Sequence, residues 1–84
     1  MIAQIFAQAK DVKEIEMLFQ NFFTPAERET MEERVKIFKG LNDGKSQRDV
    51  AQEVGASLST VSRGARELKF GNGFMPIVFG RMGK

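Results

Sequence analysis

Ser59, Thr60, Ser62, Arg63 and Arg66 set short hydroxyls and guanidinium groups close together in the second half of this 84-residue chain. On a helix they share one exposed face, where such groups reach base edges and phosphate oxygens without steric obstruction. Lys45 and Lys69 flank the stretch and suit phosphate attraction. The chain has no His and no Cys, and no Gly-rich phosphate loop. An imidazole base and a thiolate are therefore both missing, which argues against an enzyme. A metal site would have to rest on carboxylates, which favour hard ions, and the residues themselves call for no cofactor.

Charge is unevenly placed. Residues 1–44 carry six Lys/Arg against eight Asp/Glu, while residues 45–84 carry seven against three. A basic second half suits a polyanion, because phosphate neutralisation supplies most non-specific binding energy.

The elements that must position these groups read as helices. Ser46 and Asp49 form a capping box that opens a short helix ending near Val54. Gly55 supplies a sharp turn, and Ser57 caps a further helix from Leu58 to about Leu68. Val50, Val54, Leu58 and Val61 are apolar where two crossed helices share a seam, with Ala51 small at the expected point of closest approach. This is the pattern of a helix-turn-helix, whose second helix enters the major groove. Upstream, Thr24, Pro25 and Glu27 start a long helix that runs to about Leu41. Its apolar face is Met31, Val35 and Phe38, with Ile37 and Leu41 adjoining, and Asn42-Asp43-Gly44 ends it. Ile2 to Phe23 reads as one helix with a stripe of Ile5, Val12, Ile15, Phe19 and Phe22, broadened by Ala3, Met17, Leu18 and Phe23.

So broad an apolar surface on so short a chain calls for a second copy, since small domains bury too little on their own. The expected architecture is an all-α single domain, 1–84. Residues 1–23 form a dimerisation helix, 24–43 a central helix, 46–69 the helix-turn-helix and 70–84 a tail. In that tail Phe70-Gly-Asn-Gly73 reads as a hinge. Phe74 to Phe79 is an apolar run broken by Pro76, expected to dock as extended chain or stay loose, with Gly80 to Lys84 frayed. No apolar run reaches the roughly 20 residues that span a bilayer, and Met1 to Lys10 lacks a secretory layout, so the expected location is the cytoplasm, away from membranes.

From Phe23 to Lys69 the chain resembles the Trp repressor family, including its shorter members. The likeness is carried by Thr24-Pro-Ala-Glu-Arg28, Arg34-Val-Lys-Ile37, Gly44-Lys-Ser-Gln-Arg48, Val54-Gly-Ala56 and Ser62-Arg-Gly64. It implies an intertwined homodimer whose recognition helices read two half-sites of operator DNA, acting as a transcriptional repressor. It further implies DNA contacts by Gln47 and Arg48 from the first helix of the motif, joined by Ser59, Thr60 and Ser62 from the second. A pocket for L-tryptophan as corepressor would use Arg34 on the indole, Arg63 on the carboxylate, and Thr24 and Gly64 in the lining.

Two features depart from the family pattern. Glu67 stands where tryptophan-binding members carry a small hydroxyl residue. Its carboxylate can hold the ligand's ammonium, pair with Arg63 and disable the clamp, or form a solvated i,i+4 ion pair. The loop before Ser46 is also about one residue shorter. The alternative to DNA reading is a helical protein-interaction module, to which the Phe-rich tail would suit.

Overall fold

The computed structural model describes residues 1–83, and all the regular structure among them is helical. Six helices follow in order: α1 (Ile2–Ala7), α2 (Val12–Phe22), α3 (Pro25–Asn42), α4 (Gln47–Val54), α5 (Leu58–Phe70) and α6 (Phe74–Met82). None is long and apolar enough to cross a membrane. The packing gathers into two units, Met1–Met31 and the remainder from Glu32 onward.

In the first unit the expected continuous helix is broken between Ala7 and Val12. Asp11 takes an extended conformation and accepts from the Glu14 amide at 2.9 Å, while the Lys10 amide donates to Glu14 Oε1 at 2.9 Å. This local cap satisfies amides that a through-going helix would otherwise bond, and so lets α1 fold back. Phe6 then lies on Phe19 and Phe22, with ring centroids 5.5 and 5.8 Å apart. Thr24 and Glu27 complete their box in both directions, at 3.2 and 2.9 Å, and Arg28 Nη1 donates to the Phe23 carbonyl at 2.8 Å.

In the second unit the core is Ile37, Val50 and Val61, surrounded by the half-buried Leu41, Ala51, Val54 and Ala56. Leu58, expected in the seam, is 50% exposed, because the first turn of α5 lies outside this cluster. Val35, expected inward, is 45% exposed, and Ile37 is the buried residue of α3. Glycine decides which face of α3 turns inward. A Cβ on Gly40 would lie 2.9 Å from Val50 Cγ2, and one on Gly64 would lie 2.9 Å from Ile37 Cγ2. These glycines mark close approaches of α3 to α4 and of α3 to α5.

The turn between α4 and α5 is made as expected, with Gly55 at φ 81° and the Gly55 and Ala56 amides both donating to the Ala51 carbonyl. Ser46 accepts from the Asp49 amide at 3.1 Å, but the return bond from Ser46 to the Asp49 side chain is not formed.

The tail corrects the expectation of an extended or loose segment. Phe74–Met82 is helical, because Pro76 falls in the first turn, where an amide has no partner within the helix to lose. Asn72 Oδ1 accepts from the Phe74 amide at 3.0 Å, and Gly73 enters the helix at φ 80°. Phe79 is buried, with Lys39 Nζ 5.8 Å above its ring. The fraying expected from Gly80 is absent as far as Met82, and Lys84 lies outside the described residues.

Candidate nucleic-acid interface

α4 and α5 pack on each other across Gly55 and place polar side chains on one exposed surface. Gln47 and Arg48 open α4, while Ser59, Thr60 and Arg66 stand exposed on α5 and Ser62 is half-buried. Their partners divide them. The Ser57 hydroxyl caps α5 by accepting from the Thr60 amide at 3.2 Å. It also lies 2.8 Å from Thr60 Oγ1 and 3.2 Å from Ser59 Oγ. The first turn of α5 therefore presents a linked group of three hydroxyls. Ser62 Oγ donates to Gln47 Oε1 at 2.7 Å, joining the two helices of the motif.

The cations divide too. Arg48, Arg63 and Arg66 have no carboxylate within 4.0 Å among the described residues, so their guanidinium groups are free for an external anion. Lys45 Nζ is bound to Glu53 Oε1 at 2.8 Å. The hydrogen bond to Glu53, followed by that carboxylate's charge, raises the Lys45 pKa above the ordinary lysine value. Lys69 Nζ sits 5.3 Å above the Phe70 ring, beyond the recognition face.

A cleft of about 270 Å³ lies between α3 and α5, lined by Arg34, Ile37, Phe38, Thr60, Arg63, Gly64 and Glu67. Thr60, Arg63, Gly64 and Glu67 recur at the spacing that brings them to one helix face, and Gly64 lets α3 approach closely enough to floor the cleft with Ile37. Arg34, Arg63, Gly64 and Glu67 are thus brought together. Thr24 belongs to the first unit, where it caps α3. Glu67 forms no ion pair with Arg63 or Arg34 within 4.0 Å among the described residues, so the i,i+4 pairing expected of it is not made. Its carboxylate instead lies against Gly71, where a Cβ would collide with it.

Sequence reasoning missed Glu53 and Ser57 as partners of the site. Ser57 was legible as a helix cap, but not as the hub of three hydroxyls. Glu53 is eight residues from Lys45 across a helix start, a separation no periodicity rule links. Phe38 was placed on an apolar face, yet it also walls the cleft.

The Trp repressor protein family matches residues 1–82. The Trp operon repressor homologs of Vibrio parahaemolyticus and Vibrio cholerae are each 38% identical over 69 residues, covering 81% of this chain and 67% of theirs. The Trp operon repressor homolog of Xylella fastidiosa is 29% identical over 73 residues, covering 86% of this chain and 79% of its own. No solved structure matches the chain.

Proposed function

The chain belongs to the Trp repressor family, whose members are non-enzymatic DNA-binding helix-turn-helix regulators, and from that membership we propose that it represses transcription as a homodimer on operator DNA. The observation that carries this reading is the exposed surface of α4 and α5, where Arg48 and Arg66 stand, among the described residues, without carboxylate partners beside a row of hydroxyls. In this reading Gln47, Arg48, Ser59, Thr60, Ser62 and Arg66 face the duplex, while Lys45 and Lys69 attract phosphate. Residues 1–84 act as one Trp repressor-like domain in the cytoplasm.

The dimer is supported by apolar surface. Met17 is 55% exposed and Phe22 is 44% exposed in the single chain, and Phe70, Phe74 and Ile77 are also open. A second copy covers such surface most economically in a short chain without cysteines to staple it. The same exposure on α6 favours the alternative of a protein-interaction module. Retention on heparin or random duplex separates the two, since only the DNA binder loses affinity steeply with salt.

L-Tryptophan is proposed as corepressor in the cleft between α3 and α5. Arg34 suits its indole, Arg63 its carboxylate and Glu67 its ammonium. Binding-site selection from random duplex, with and without tryptophan, tests operator and corepressor together. Two half-sites about one helical turn apart (~34–36 Å) are expected from a dimer of this motif. Unselected sequences would overturn the proposal.

A further inference from the structure

Gln47 is the first residue of α4 and Ser62 lies in the second turn of α5, yet their side chains are joined at 2.7 Å. Among the described residues this is the one side-chain hydrogen bond between the two helices of the motif. Ser62 is half-buried and donates its single hydroxyl proton to Gln47. Gln47 is exposed, and its planar amide carries the carbonyl oxygen and the NH₂ group on separate branches. With Oε1 turned to Ser62, Nε2 and its two donors turn away from Ser62. A glutamine is otherwise rotamer-rich and loses that freedom on docking, whereas here it is ordered beforehand.

We propose that Ser62 is a positioning residue for DNA reading, one that holds Gln47 with its donor end toward the duplex instead of contacting a base itself. The inference rests on the DNA-binding reading above. A donor-only amide matches acceptors: phosphate oxygens, purine N7, guanine O6 or thymine O4. Bidentate recognition of adenine needs the carbonyl to accept from N6 while the NH₂ group donates to N7. Ser62 engages that carbonyl and fixes the orientation of the amide, so Gln47 discriminates against the adenine contact an unrestrained glutamine would favour.

The test is binding-site selection from random duplex with the full chain and with Ser62→Ala, Ser62→Thr, Gln47→Ala and the Ser62→Ala/Gln47→Ala pair. Unfolding of the same set is measured without DNA. Ser62→Ala should change preference only at the base pair affected by Gln47→Ala, relaxing it about fivefold or more, with adenine rising there. Ser62→Thr keeps the hydroxyl and should keep the original preference. In the Gln47→Ala background Ser62→Ala should add nothing further, and without DNA the two effects on unfolding should be non-additive. Losses at separate base pairs that multiply in the double variant would overturn the inference, since Ser62 would then touch DNA directly. Additive unfolding effects with site selection intact would overturn it alone. An unaltered chain that selects no site would overturn both it and the DNA-binding reading.

Discussion

Lys45 Nζ and Glu53 Oε1 lie 2.8 Å apart across the entrance to α4, both more than two-fifths exposed. The pair sets an internal carboxylate in competition with phosphate for a lysine beside the proposed DNA surface. Glu53→Gln should therefore strengthen binding to any duplex and steepen the dependence of log affinity on log salt by about one unit. Titration of random duplex across several salt concentrations reads both. An unchanged slope would show that Lys45 is not recruited by phosphate.

The same pair has a pH signature. The Lys45 pKa is raised, first by its hydrogen bond to Glu53 and then by that carboxylate's charge. A raised lysine contributes stability fully below its unfolded value and loses it as pH climbs through the folded one. The contribution should thus hold at neutral pH and disappear above about 10.5, the ordinary lysine value. Glu53→Gln should remove that part of the alkaline decline in unfolding midpoint. Because the groups are exposed, the difference should be small and should shrink in salt.

Gly64 and Gly80 should respond oppositely to alanine. At 64 a Cβ meets Ile37 Cγ2 at 2.9 Å, so the core must shift, at a cost of about 1–3 kcal/mol. At 80 nothing lies within 4 Å and the backbone is helical, so alanine should stabilise by about 0.5–1 kcal/mol. Denaturant unfolding of the two variants checks the signs. Equal midpoints would mean that α3 and α5 have more room than their packing implies.

The helix-turn-helix was legible because each boundary has its own local signal: Ser46 and Ser57 cap, Gly55 turns, and Val50 and Val61 bury. Thr24 with Glu27 marked the start of α3 for the same reason. The break before α2 was hidden because the apolar stripe continues through it, although Asp11 and Glu14 carry the spacing of a cap. Periodicity reports which residues are apolar and is blind to a reversal of direction between them. Pro76 misled in the opposite way, since its effect depends on whether it falls in the first turn or the interior of a helix. The inward face of α3 was set by what Gly40 and Gly64 leave empty, which no count of apolar residues reveals. At the site, the residue types were readable but their pairings were not, because Gln47–Ser62 and Lys45–Glu53 arise from tertiary folding.

Polar replacement of Phe19 and Phe22 should unfold the protein rather than release a folded monomer. Both rings already contact other Phe rings within their own unit, yet Phe19 remains 36% and Phe22 44% exposed. In a dimer each would lose partner contacts as well as those with Phe6. Sedimentation and helicity of the variant decide the matter, and a stable helical monomer would overturn the obligate dimer.

Arg48 and Lys69 should separate sequence reading from phosphate attraction. Arg48 has no carboxylate within 4.0 Å among the described residues, whereas Lys69 lies over Phe70 past the recognition face. Arg48→Ala should cost about 1–3 kcal/mol more on the selected site than on random duplex. Lys69→Ala should weaken both equally and flatten the salt slope by about one unit. Equal losses from both variants on both duplexes would reverse the assignment.

Glu67 decides how the cleft between α3 and α5 treats a small molecule. Had its carboxylate paired with Arg63, the clamp for a ligand carboxylate would have been filled from within, leaving DNA binding indifferent to tryptophan. The pair is not formed: Glu67 lies against Gly71, and Arg34 and Arg63 line the cleft without a carboxylate within 4.0 Å among the described residues. Guanidinium groups and a carboxylate around one cleft match the two charges of an amino-acid zwitterion, and charge-assisted bonds are about twice as strong as neutral ones. Tryptophan should therefore bind the unaltered chain and raise operator affinity by a factor within the ~5–150-fold range of ordinary coupling. Glu67→Ser keeps a hydrogen-bonding group without the charge and should bind tryptophan more weakly. The chain has neither Trp nor Tyr, so the ligand's own fluorescence can be followed against an almost dark protein. A change in operator affinity below about twofold would show that Glu67 neutralises the arginines in solution, because a ligand shifts an equilibrium only through differential affinity for its states. Recovery of a tryptophan response in Glu67→Ser would then identify the carboxylate as the block.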